Sequence, residues 1–475
     1  MEQSYLFALI QVLRPEELRS IALFLQSAYF NGGTNQQKIQ QLFSIISEDA
    51  KSPPVKEDVY RVLFPESPWI AGKLDKLMSE LAGLIRKYLL INHHLDEDKS
   101  FEQALDWAVL LRKRGLQSRY PQHIQKAERI LQDKPMESIH YYFQQFQLAY
   151  EKYDVETLNN RARGDLLIPQ TVASLDAYYL SCRLELLNLL SLQQKLTPIE
   201  IPPHLLLPFR DFLPEEQWSE HVMLNIAAKI NDQLKSETHS PEAFQEILSL
   251  LQNHDEIIAP AVLQNFYACL RSLCILLMQQ NQLHFAPLLH DIQRDNLKRG
   301  YLFHGNKLSP SAYLSVARTA IMVGKSDWAL SFVDEYRDQI LSEEDTENFY
   351  SFNKAQCLFA LERYEEALEI LPQTFADLVY LINCKRLEIK LYYELKSDLL
   401  PYKIDAHKMY ISRASKKTMS DEMREIEGNF INLLLQVSQC APGDTPKIDR
   451  IIKRIQEKKL VAERDWLIKK TKLLA

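Results

Sequence analysis

His284, His290, Asp291 and His304 form the one local cluster whose residue types suit metal binding or proton transfer. Such ligands must converge on one point. His284 and His290 are six residues apart, which on a single helix sends them to different faces. Cys269 and Cys274 are five apart, with no histidine at i+4 on the same helical face. Glu343-Glu344 and Glu365-Glu366 are adjacent pairs, so on a helix their carboxylates diverge and read as solvated faces. There is no G-x-x-x-x-G-K-S/T, no G-x-G-x-x-G, no H-E-x-x-H and no C-x-x-C. The residues therefore nominate no catalytic group, no cofactor site and no metal site. The expectation is a protein that is not an enzyme.

Composition then bounds the elements that could position anything. A chain of 475 residues has room for about three domains of ~150 residues, although a helical array would need no such division. Hydrophobic residues make up 46 %, enough for a large core. Only 11 residues are glycine, well below the usual ~7 %. Sheet-rich folds and phosphate loops lean on glycine, so its scarcity favours an all-α chain. The 21 prolines sit mainly between apolar-periodic segments, as short helix connections require. The formal charge of −7 is spread along the chain and gives no general attraction to nucleic acid or anionic lipid. Six cysteines are scattered, several in apolar runs, which reads as buried thiols in a reducing compartment. The first residues lack the basic region of a signal peptide. The best candidate for a membrane span is broken by Arg271. A cytoplasmic protein with no membrane partner is expected.

Proline opens several expected helices: Arg14-Pro-Glu-Glu, Leu213-Pro-Glu-Glu, Ser240-Pro-Glu and Ser309-Pro-Ser. Ser342-Glu-Glu-Asp345 resembles a capping box. Residues 1–95 read as an N-terminal helical module, with helices over 3–13, 15–27, 35–48, 55–63 and 70–91. In the last of these, Leu74, Leu77, Met78, Leu81, Leu84, Ile85 and Leu89 make an apolar stripe. Residues 98–210 read as a region of long helices. Its aromatic series Tyr142, Phe143, Phe146, Tyr150 and Tyr153 suits an inter-helix seam. Proline-rich 199–212 is the candidate hinge. Residues 214–440 read as helix pairs, and 445–475 as basic capping helices. Positions 447–475 hold ten Lys/Arg against four Asp/Glu.

A repeat stands out within 310–372. Ala317 and Ala329 are twelve apart, as are Ala355 and Ala367, and the two pairs are offset by 38. One small residue per helix suits two helices crossing closely. With Gly324 at a turn and Tyr364 opening a second helix, the pattern resembles tetratricopeptide (TPR) repeats. The spacing exceeds the family's 34 residues, and 378–413 has the helical pattern without a clear small-residue pair. The resemblance implies antiparallel helix pairs stacked as a TPR-like α-solenoid, whose first helices line a groove. Carried over residue by residue, that groove comprises Leu314, Arg318, Ile321, Met322, Phe349, Phe352, Gln356 and Phe359. The lysine and asparagine that hold a terminal carboxylate in some relatives are absent at matching positions of the first unit. Each groove residue serves equally as packing against a neighbouring helix, and both readings stay open.

The whole chain also resembles a Bacteroidetes-type bacterial family with an N-terminal helical module and no established activity. The segments that carry this are Leu25-Gln-Ser-Ala-Tyr-Phe-Asn31, Val62-Leu-Phe-Pro65 and Leu391-Tyr-Tyr-Glu-Leu395. The resulting expectation is a non-enzymatic scaffold or adaptor holding a segment of a protein or peptide partner. The alternative is a transcription regulator whose residues 37–91 resemble the helical part of a winged-helix domain, with Lys73, Lys76, Arg86 and Lys87 facing DNA. Residues 1–94 balance ten Lys/Arg against ten Asp/Glu, so there is no basic footprint, and no strand pair follows Leu90.

Overall fold

The computed structural model describes residues 4–48, 53–133, 136–159, 167–196, 202, 219–280, 282–342, 345–414 and 419–475. The chain is all-α, apart from one two-residue hairpin among the described residues. Two compact units divide at Cys182/Arg183. The proline-rich segment 199–212 lies outside the described residues except for Pro202, as does Leu213-Pro214.

The first unit begins with α1 (Tyr5–Gln11), α2 (Pro15–Gln26), α3 (Gln36–Glu48), α4 (Lys56–Leu63) and α5 (Lys73–Leu95). The Ser4 hydroxyl caps α1 by accepting from Phe7 N–H at 3.3 Å. Glu17 reaches back to the Arg14 N–H at 2.8 Å and fixes the start of α2. The α5 stripe packs onto Phe7, Ile10, Ile21, Leu25, Ile39 and Phe43, with Leu74, Leu77, Leu81 and Ile85 buried. Tyr60 ties down the turn before α5: its hydroxyl donates to Pro68 O at 2.8 Å and accepts from Ile70 N–H at 3.2 Å. The helices α6 (Ser100–Lys113) and α7 (Tyr120–Asp133) are shorter than the expected long helices, because Gly115 ends the first in a left-handed turn. They cross at Ala108 and Ala127, both 0 % exposed. The long members are α8 (Ile139–Asn159) and α9 (Leu167–Leu196). Phe143 and Phe146 meet Tyr178 of α9 at 5.1 and 6.5 Å, so they do form a seam, whereas Tyr150 is exposed.

The second unit contains the end of α9, then α10 (Val222–Lys235), α11 (Pro241–Asn253), α12 (Pro260–Gln279) and α13 (Ala286–Lys298). Asn188 of α9 donates to Ala227 O at 3.1 Å and accepts from Asn231 at 2.9 Å. These bonds place that end of the helix on α10, which is why the division falls inside α9. By length and composition α12 could cross a membrane, but its Leu263, Phe266, Leu270, Leu273 and Leu277 are buried and it packs on α10, α11 and α13. A hairpin pairs Phe303 with Leu308 and His304 with Lys307. Gly305 at φ 65 supplies its turn.

The repeats follow as α14 (Pro310–Met322), α15 (Ser326–Glu335), α16 (Thr346–Ala360), α17 (Tyr364–Ile370), α18 (Leu378–Glu394) and α19 (Leu400–Arg413). Ala317, Ala329, Ala355 and Ala367 are all buried to within 1 %, as close crossings demand. Gly324 at φ 74 turns α14 into α15. The Tyr313 hydroxyl donates to Val333 O at 2.6 Å across that pair. The helix α16 starts at Thr346, and Ser342 Oγ accepts from Asp345 N–H at 3.0 Å. Ser342 therefore shapes the loop and does not cap the helix. The chain closes with α20 (Asp421–Ser438), α21 (Thr445–Glu457) and α22 (Arg464–Lys472). Ile448, Ile451, Ile455 and Leu467 are buried against Phe430 and Leu434, leaving the lysines of α21 and α22 largely outward.

Candidate functional site

The first helices of three successive pairs, α14, α16 and α18, pack side by side. Together they line a cleft of about 300 Å³. From α14 come Arg318, Ile321 and Met322; from α16 come Phe352, Gln356, Phe359 and Ala360. The helix α18 adds Asn383, Leu387 and Lys390, and Glu463, just before α22, completes the wall.

The expected groove residues separate into two sets. Arg318 and Met322 are exposed, and Gln356 and Phe359 are half-buried in the lining. Arg318 makes no hydrogen bond or ion pair among the described residues. Phe352 reaches the cleft but is only 2 % exposed. Phe349 does not line it: its ring lies 5.2 Å from Phe375 and 4.7 Å from Tyr380. Leu314 also stays out of the lining, packed on the core. Phe349 and Leu314 thus serve as packing, the second of the two readings left open by the repeat.

The third helix brings the residues that sequence reasoning missed. Asn383, Leu387 and Lys390 stand at i, i+4 and i+7 on one face of α18, a spacing that was legible once that face was assigned. Lys390 Nζ sits 4.4 Å above the Phe359 ring and 2.7 Å from Glu463 Oε2. Arg386 stands 3.7 Å from Glu463 and also binds Glu427. His407 Nε2 is 3.1 Å from Glu427 Oε2. Burial alone would push the Glu463 carboxyl up, but Lys390, Arg386 and Arg318 outweigh it and hold it below the usual carboxylate range. For Glu427, burial is likewise outweighed, here by the His407 hydrogen bond and the Arg386 charge. Glu463 adopts φ 54, a left-handed backbone that costs a non-glycine residue about 1–2 kcal/mol. Its ion pairs hold it there. Within the cleft, Gln356 Nε2 is buried without a hydrogen-bond partner. The cleft thus offers the Arg318 guanidinium, the Lys390–Glu463 ion pair, the Gln356 amide and aromatic edges, all of them groups suited to recognition.

The histidine cluster does not assemble. His290 is 1 % exposed, edge-on to Trp328 at 4.8 Å, and neither ring nitrogen has a hydrogen-bond partner. Burial, with the Lys325 charge, pushes its pKa down, so it is a neutral core residue. His284 lies in the one-turn 3-10 helix before α13, and His304 is exposed on the hairpin. Among the described residues no group of three or more His, Cys, Asp and Glu is placed to hold a metal ion. Of the carboxylate pairs, Glu365 and Glu366 are exposed on α17, and Glu343-Glu344 lies outside the described residues. All six thiols are free, and burial pushes Cys269 and Cys274 up to about 12.

In the first unit a cavity of about 670 Å³ is lined in part by Arg112, Tyr120 and Lys152. Arg112 is paired with Glu151 at 3.0 Å and with Asp154 at 3.1 Å, and Lys152 with Glu128, so these two cations are already neutralised. The DNA-facing lysine expected at 73 is engaged as well: its Nζ lies 4.2 Å from the Phe64 ring. Arg86 and Lys87 are exposed on α5, and α6 follows that helix with no strand between them among the described residues. Comparison of the chain with protein-family models, curated proteins and solved structures gives no match.

Proposed function

We propose that this protein is a cytoplasmic, non-enzymatic adaptor whose second unit is a TPR-like solenoid, and that it seats a partner's acidic, apolar-flanked segment in the cleft of α14, α16 and α18. The observation that carries this reading is Arg318. It is an exposed guanidinium on the cleft wall with no ion pair among the described residues, beside the apolar Met322 and Phe359. A guanidinium with open donors is a strong and geometrically selective carboxylate binder. Rings and aliphatic chains beside it supply anchor contacts. The six free, scattered cysteines suit a reducing compartment. Winged-helix DNA binding is the weaker reading: Arg86 and Lys87 are exposed, but Lys73 is engaged and no strand lies between α5 and α6 among the described residues.

The test is selection of displayed random peptides on the full-length protein, then repetition with Arg318→Glu. Recovered peptides should share an acidic residue flanked by bulky apolar ones. Arg318→Glu should weaken their binding at least tenfold, the ~1.4 kcal/mol scale of one charge-assisted hydrogen bond. Peptides without an acidic residue, or equal binding to the variant, would refute the proposal. The substitution sits on an exposed residue and leaves the core intact.

A further inference from the structure

A second cavity of the same unit, also about 300 Å³, lies between α12 and α14 and shares no lining residue with the Phe359 cleft. Gln264, Asn265 and Ser272 line it from α12, Gln293 from α13, and Ser311 and Ser315 from α14. One cation stands among these neutral groups. Arg271 leaves the middle of an apolar helix, next to the fully buried Leu270. Its guanidinium donates to Asn296 Oδ1 and meets no carboxylate among the described residues. Glu185 is engaged instead by Asn265 Nδ2 at 3.0 Å. Burial lowers the Arg271 pKa to about 10, so it remains a cation at neutral pH. A cation withdrawn from water without a counter-ion is costly, and such groups are ordinarily paired.

Other polar atoms around it are also unfilled. Gln293 is 2 % exposed; its Nε2 donates to Ser315 Oγ at 3.0 Å, while its Oε1 has no partner. Asn296 is 0 % exposed, and its Nδ2 is without a partner. The N-terminal turn of α14, a helix of 13 residues, borders the cavity through Ser309 and Ser311 and adds its positive dipole end. A ligand matching this set carries negative oxygens for Arg271 and a hydroxyl hydrogen for Gln293. Monoprotonated phosphate has both. At ~30 Å³ per water molecule the cavity also exceeds what a bare phosphate fills, which leaves room for an ester group.

We propose that the α12–α14 cavity binds a phosphate group, free or as a small monoester, with Arg271 as its counter-ion and Gln293 Oε1 accepting the hydroxyl of the monoprotonated anion, which for a monoester means the form populated below about pH 6. The test is calorimetric titration of the full chain with inorganic phosphate and with N-acetyl-O-phosphoserine amide, at matched ionic strength. Saturable 1:1 binding is expected. Tighter binding of inorganic phosphate points to the free anion, and tighter binding of the ester points to a phosphorylated side chain. Arg271→Gln should weaken either by at least about tenfold. If that variant fails to fold, Ala268→Asp decides, because it adds a counter-ion where Arg271→Gln removes the cation. Residue 268 lines the cavity one helical turn from Arg271, so a carboxylate there should displace the ligand and abolish binding. No binding of either probe to the unaltered protein, or undiminished binding to Ala268→Asp, overturns the proposal.

Discussion

Replacing Glu427 by glutamine removes one buried charge and keeps its volume. Glu427 is 2 % exposed on α20, where it receives Arg386 from α18 and His407 from α19. After the substitution Arg386, itself only 14 % exposed, retains only Glu463 at 3.7 Å. Breaking a buried pair by removing one partner costs about 3–5 kcal/mol, and the retained amide hydrogen bonds place Glu427→Gln near the lower end. Arg386→Met should cost a similar amount. The double variant leaves neither charge stranded and should fall short of the summed costs by about 2 kcal/mol. Urea unfolding reads this through Trp466, whose indole donates to Glu394 at 2.8 Å within the same unit. Acid provides a second reading. Because the folded Glu427 carboxyl is held below its ordinary 4.5, its contribution is complete above that value and fades as pH falls through the depressed one. The gap between the natural protein and Glu427→Gln should therefore close on acidification. Additivity within ~0.5 kcal/mol, or a gap that persists in acid, would refute the coupling.

Three further outcomes follow from burial. Ala355→Leu forces a larger side chain into a position with 0 % exposure, opposite Ala367, and should cost about 1–3 kcal/mol in urea unfolding. Phe352→Ala, at 2 % exposure, should cost about 3–5 kcal/mol, while Phe359→Ala on the cleft wall should cost less than half of that. Cys357 and Cys384 have thiols pushed up to about 12 by burial, so at pH 8 they should resist iodoacetamide while half-buried Cys182 labels first; all six should label alike in urea.

The fold was legible where a residue's type has a single structural use. Proline after serine or arginine marked the starts of α2, α11 and α14, and the α5 leucines marked the buried face. The alanine pairs marked two helix crossings because a close approach tolerates little else. The same logic escaped notice at Ala108 and Ala127, where the helices are joined by Gly115 and the repeat spacing differs. The hairpin at 303–308 had a Gly-Asn turn signal, hidden by its two-residue strands. The site was legible only in part. Positions 318, 322 and 359 were implied by the tetratricopeptide resemblance, but whether a ring faces a cleft or the next helix depends on packing. Phe349 and Phe352 share one helix face and both meet Phe375 and Tyr380, but those rings lie 5.2 and 4.7 Å from Phe349 against 6.3 and 6.0 Å from Phe352, and only Phe352 reaches the cleft. Glu463 lies 73 residues from its partner Lys390, a pairing that no local pattern encodes.

Met322 offers the most direct test of the cleft, since it is 57 % exposed and lines the wall. A photo-reactive phenylalanine at 322 in the full-length protein, illuminated with a selected acidic peptide, should cross-link to that peptide. Excess unlabelled peptide should suppress the cross-link, and Arg318→Glu in the same chain should abolish it. Cross-linking that survives Arg318→Glu, or a peptide that binds tightly yet never cross-links at 322, would contradict the assignment of this cleft as the partner site.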